Sequence, residues 1–169
     1  MRLMPVVPAI AIAAVMVLGN CNFAAADDRD ACKTASGDTA IEACTRAIES
    51  KTFNNKKQTR VLSLLYTNRG VEYEIKKDFD KAIADHDQAI KVDPKNPAPY
   101  NNRGNAYLAK QDYEHALADF DQAIKLNPKY AEAYFNRGMA KRNHGDMGGG
   151  EEDIAQAKLL QPGIGATPQ

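Results

Sequence analysis

Three cysteines, three histidines and an Asn-Arg-Gly triplet that occurs three times are the residues of this 169-residue chain with chemistry to offer. Catalysis would need them in particular company. No HExxH metal motif, nucleophile–base motif, Walker loop or dinucleotide fingerprint is present. Cys21, Cys32 and Cys44 contain no Cys-x-x-Cys pair, so thiol exchange is not their expected work. His86, His115 and His144 fall at different places in the repeat described below and are not expected to converge on a metal. The chain reads as a non-enzyme without cofactor or metal. The amides and guanidinium groups of the triplets suit hydrogen bonding, to other helices or to a bound backbone.

The pairing of the cysteines depends on the N-terminus. Residues 1–26 carry one charge, Arg2, then an apolar run from Ala9 to Leu18, and end Ala24-Ala25-Ala26 before Asp27. A positive start, a short apolar centre and small residues three and one before a cut are the pattern of a secretory signal peptide, with cleavage expected after Ala26. The apolar run is shorter than the roughly 20 residues that span a bilayer, so no membrane segment is expected in the mature chain. Lipid attachment at Cys21 would want Gly, Ala or Ser before the cysteine, and Asn20 stands there. Cleavage leaves Cys32 and Cys44, an even pair in an oxidising compartment, periplasmic or extracellular. The expectation is a disulfide contributing roughly 3 kcal/mol in the chain-entropy model. Two buried free thiols are the other reading.

What positions these groups is a period. Asn68-Arg69-Gly70 returns as Asn102-Arg103-Gly104 and Asn136-Arg137-Gly138, each time after 34 residues. Tyr66, Tyr100 and Tyr134 keep the interval, as do Asp85, Asp119 and Asp153, Ala89, Ala123 and Ala157, and Pro94, Pro128 and Pro162. Tyr100, Gly104, Tyr107 and Leu108 stand at i, i+4, i+7 and i+8, and Ala116, Phe120, Ala123 and Ile124 do the same. Each set is one apolar stripe on a helix. Gly104 and Ala116 remove bulk where two helices approach, Asp78, Asp112 and Asp146 can cap the second helix, and Pro94 and Pro128 end each pair. One pair cannot bury its stripes alone, so pairs must stack.

Over residues 63–162 these columns resemble the tetratricopeptide-repeat (TPR) family, best in the second copy with Tyr100, Gly104, Tyr107, Ala116, Phe120, Ala123 and Pro128. The resemblance implies an all-α, right-handed solenoid of antiparallel helix pairs. The expected organisation is a signal peptide at 1–26, a degenerate leading pair at 27–50, a linker running into the first helix at 51–62, repeats at 63–96, 97–130 and 131–162, and a flexible tail at 163–169. Ala40 to Ile48 matches Ala82 to Ile90 at an offset of 42 rather than 34, so eight residues are inserted near 50–60. That offset puts Cys44 in the column of His86, Phe120 and Ile154, the large core residue of each second helix, with His86 expected buried and satisfied. Gly148-Gly149-Gly150 suggest a frayed start to the last helix, which is expected from about Glu151 to Leu160.

The resemblance also implies the site. First helices line the concave face of TPR stacks, here with Asn68 and Val71, then Asn101, Asn102, Asn105 and Leu108, then Phe135, Asn136 and Met139, beside Leu64, Thr67, Ile75, Glu132 and Arg142. Asparagine amides there could pair with an extended peptide backbone, or could bond only to neighbouring helices. Family members that clamp an acidic C-terminus use lysines where this chain has Thr67, Ala98 and Glu132, so that mode is not expected. Arg69, Arg103 and Arg137 replace the family's usual Leu and, with Asp85, Asp119 and Asp153 in register, suggest a ladder of structural ion pairs. The expected function is an exported adaptor for a protein or peptide partner. The alternative is a self-associating structural module of the cell envelope.

Composition fits. Apolar residues are 44% and charged residues 26%, too apolar for a disordered chain. Lys plus Arg equals Asp plus Glu at 22 each, so no field of one sign draws nucleic acid.

Overall fold

The computed structural model describes residues 21–50 and 55–165, and these form helices joined by turns, with no strand among them. The elements are α1 (Cys21–Thr34), α2 (Gly37–Glu49), α3 (Lys56–Ile75), α4 (Phe79–Val92), α5 (Pro97–Ala109), α6 (Tyr113–Leu126), α7 (Ala131–Asn143) and α8 (Met147–Leu160). They pack as four pairs, and each pair packs on the next.

The local chemistry explains the ends of the helices. Asp78, Asp112 and Asp146 cap α4, α6 and α8, their carboxylates accepting from the backbone N–H of Lys81, His115 and Gly149. Asn55 and Asn96 cap α3 and α5 in the same way. The turn inside each full pair needs one left-handed residue. Lys77 and Gln111 supply it at φ 60° and 61°, and Gly145 supplies it in the last pair at φ 101°.

The pairs close on their glycines. A Cβ on Gly70 would stand 2.5 Å from the His86 ring, and one on Gly104 would stand 2.7 Å from the Phe120 ring. One on Gly138 would meet Ile154 at 2.8 Å and the Gly150 carbonyl at 2.7 Å. The three glycines therefore share one surrounding, the residue of the following helix that fills the pair. Phe120 is fully buried, which contributes about 1.5–3 kcal/mol from its area alone.

The last helix starts earlier than expected. α8 is helical from Met147, through all three glycines. Gly150 lies against Arg142 and the Gly138 carbonyl, so close packing on α7 holds the turn that glycine propensity would loosen. α3 begins at Lys56, within the segment expected to run into the first helix, and runs 20 residues against 13 in α5 and α7. The expected tail is ordered at its start. Residues 162–165 form turns, Ile164 donates to the Gln161 carbonyl, and Gly165 lies against the Phe135 ring.

The expected signal peptide falls mostly outside the described residues, and so do 51–54 and 166–169. α1 runs unbroken through Ala26, the expected cleavage point. Among the described residues no helix is long and apolar enough to cross a membrane.

Candidate peptide-binding face

First helices and second helices pack differently. α1 touches α3, α3 touches α5 and α5 touches α7, whereas α2, α4, α6 and α8 touch only first helices. A stack whose first helices meet one another and whose second helices stand apart curves with the first helices inside. The face of α3, α5 and α7 is therefore concave.

A repeated clasp sets the spacing of these helices. Arg69 binds Asp85 through Nε and Nη2 at 2.8 and 2.7 Å, and Arg103 binds Asp119 and Arg137 binds Asp153 in the same two-pronged way. The third nitrogen reaches back to the preceding pair: Arg137 to Asp121 at 2.6 Å, Arg103 to Asp87, and Arg69 to Thr45 at 2.9 Å. Thr45 is the residue that the offset of 42 aligns with Asp87. Each guanidinium also lies over the tyrosine three residues before it, Tyr66, Tyr100 or Tyr134, at 5.5–5.8 Å from the ring centre. The arginine side chains are only 17–21% exposed and the paired aspartates 7–8%, so these pairs are more sheltered than surface bridges. Hydrogen bonds to Asp85, Asp119 and Asp153 raise the affinity of the three guanidiniums for their protons, against an opposing effect of burial. Burial alone would push the Asp153 carboxyl up, but hydrogen bonds from Arg137 and Lys141 hold it below the ordinary aspartate range.

The asparagines divide. Asn136 donates to the Asn101 side chain at 3.0 Å, tying α7 to α5, and Asn68 donates to the Cys32 carbonyl at 3.5 Å, tying α3 to α1. Asn101, expected on the open face, is 4% exposed and also donates to Asn102. Two members of the expected ladder therefore bond to neighbouring helices, and Asn101 is a buried strut. Thr67 is buried too, its hydroxyl donating to the Ser63 carbonyl. Asn102 and Asn105 remain half-exposed, with Val71, Leu108 and Met139, and Asn105 makes no side-chain hydrogen bond to any described residue. Leu108 also packs against the Phe120 cluster, and Phe135 is partly covered by Gly165.

His86 departs from expectation in part. It is fully buried and its Nε2 meets Glu74 at 2.8 Å, but its Nδ1 has no partner. Where the first repeat has Glu74 and His86, the second has Leu108 and Phe120. Cys32 and Cys44 form a pair between α1 and α2, with Cα atoms 4.7 Å apart. They sit in a small core with Ala43, Ala47 and Leu65. Sequence reasoning did not single out Asp87 and Asp121, although they repeat at 34 residues like their partners.

The TPR repeat model matches residues 70–111 and 104–145. No curated protein matches the sequence. Among solved structures, the second TPR domain of Spaghetti (RPAP3), bound to HSP90 peptide SRMEEVD, is 30% identical, with TM-score 0.59 over 62% of this chain and 97% of that one. The second TPR domain of human RPAP3, in complex with HSP70 peptide SGPTIEEVD, is 30% identical with TM-score 0.59, over 62% and 88%. MamA shares the fold at 16% identity, with TM-score 0.69 over 88% of this chain and 82% of its own.

Proposed function

This chain belongs to the TPR-repeat family, and from that premise we propose that it is a non-catalytic adaptor holding an extended peptide or a partner helix against α3, α5 and α7. The observation that carries the reading is the concave row of first helices, on which Asn102 and Asn105 offer amides beside Val71 and Met139. An amide can donate to and accept from a peptide backbone of any sequence, while the apolar neighbours take side chains.

The RPAP3 domains hold peptides ending in acidic residues, but this face is not built for such a tail. Thr67 is buried with its hydroxyl engaged, Ala98 has no charge, and Glu132 is exposed and negative. The ligand proposed for the groove is neutral or apolar there. Cleavage after Ala26, export to a periplasm or the exterior, and oxidation of Cys32 with Cys44 complete the proposal; the paired cysteines support it.

End-to-end stacking of copies could not reuse the backward reach of the arginines. Ala155 stands in the column of Thr45, Asp87 and Asp121, so the last pair has no acceptor for a further arginine. The test is a peptide selected from an extended-peptide library on the full chain. Asn102→Ala with Asn105→Ala should weaken its binding at least tenfold with unchanged helicity. Undiminished binding would move the site off this face.

A further inference from the structure

The seven residues by which α3 exceeds α5 and α7 build something the other repeats lack. The first turns of α3 overhang the loop between α4 and α5. Together they enclose an open cleft of about 750 Å³, lined by Thr59, Arg60, Val92, Asp93, Pro94, Lys95 and Asn96. At the next loop, α5 starts at Pro97 and provides no such wall.

The cleft brings two cations to one opening. At the opposite ends of the helices Lys76 pairs with Asp38, Lys81 with Asp78, and Lys110 with Asp80, while Lys77 is exposed and meets no carboxylate among the described residues. Arg60 and Lys95 are exposed and meet no carboxylate among the described residues. The carboxylate of Asp93 is turned to the Lys95 backbone N–H at 3.4 Å. Asn96 spends its oxygen on the Ala98 N–H, leaving its amide protons as donors. Two cations and one anion leave a net single positive charge, beside the apolar surfaces of Val92 and Pro94.

We propose that this cleft, at the N-terminal end of α3, is a second binding site for a carboxylate borne on an apolar residue of a partner protein, such as a chain end. A single carboxylate matches the net charge, while a doubly charged phosphate would meet Asp93 with its excess. Arg60 supplies the planar fork that fits a carboxylate, and Val92 and Pro94 take the side chain.

N-acetyl-leucine is the smallest probe with both features. Titrated into the isotope-labelled full chain, it should give saturable amide shifts at Thr59, Arg60, Lys95 and Asn96. N-acetyl-leucinamide should bind at least fivefold more weakly, and so should N-acetyl-leucine to the Arg60→Gln, Lys95→Gln variant. Both side chains are exposed, so the variant should keep its helicity; a control spectrum checks this. Shifts of equal size from the amide, or unchanged binding by a folded variant, would overturn the proposal. So would inorganic phosphate binding as tightly, or vesicles of phosphatidylcholine with phosphatidylglycerol capturing the chain through these two residues.

Discussion

The guanidinium of Arg103 meets the carboxylate of Asp119 edge to edge, 2.8 Å from Nε and 2.6 Å from Nη2, across the two helices of one repeat. The same arginine reaches Asp87 on the repeat before it, so one side chain bridges three helices. Coupling within this clasp can be measured. Arg103→Glu should cost about 3 kcal/mol, because it leaves a sheltered aspartate facing a like charge. Adding Asp119→Arg should recover at least about 1 kcal/mol. Urea midpoints of both variants decide it, and additive costs would deny the coupling.

Asp153 predicts an acid dependence. Its carboxyl is held below the ordinary aspartate value, so the unfolded chain takes up the proton first as pH falls. Its contribution is complete above the unfolded value, near 4, and is lost as pH drops through the lower folded value. Asp153→Asn should be less stable than the parent at pH 7, and the two stability curves should converge towards pH 2. Denaturant titrations from pH 7 to 2 test this; parallel curves would contradict it.

The first repeat carries a polar pair where the second carries an apolar one. His86 is buried with one unpartnered nitrogen, and a buried polar atom without a partner costs about 1–3 kcal/mol. Glu74→Leu with His86→Phe copies Leu108 and Phe120 into an equivalent site beneath Gly70. The double variant should gain about 1–2 kcal/mol by thermal or urea unfolding. A loss would mean that the two cavities differ in shape.

Cys32 and Cys44 predict a reductant-sensitive end. Alkylation before reduction should label neither, and reduction should cost roughly 3 kcal/mol in the chain-entropy account. Mass spectrometry reads the first and unfolding with and without reductant the second. Two labelled thiols in protein purified without reductant would remove the bridge.

Much of this was legible in sequence because repetition multiplies a weak signal. Gly70, Gly104 and Gly138, the capping aspartates, and the arginine–aspartate register each recur at one spacing, and each does one job in three places. The extension of α3 was not legible, since Lys56 to Arg60 is polar and carries no apolar stripe. The burial of Asn101 was hidden for another reason. Its column holds Thr67 and Phe135 as well, so residue type there does not reveal which way it faces. Three consecutive glycines argued locally against helix, and contact with α7 overrode them.

The three-way reach of each arginine bears on how such a chain can grow. A 34-residue block duplicated between the second and third repeats would arrive with an aspartate ready on each side of the seam. A block appended after Leu160 would find only the methyl group of Ala155. A block inserted from within keeps every three-way clasp, while one joined behind Ala155 would keep only its own arginine–aspartate pair.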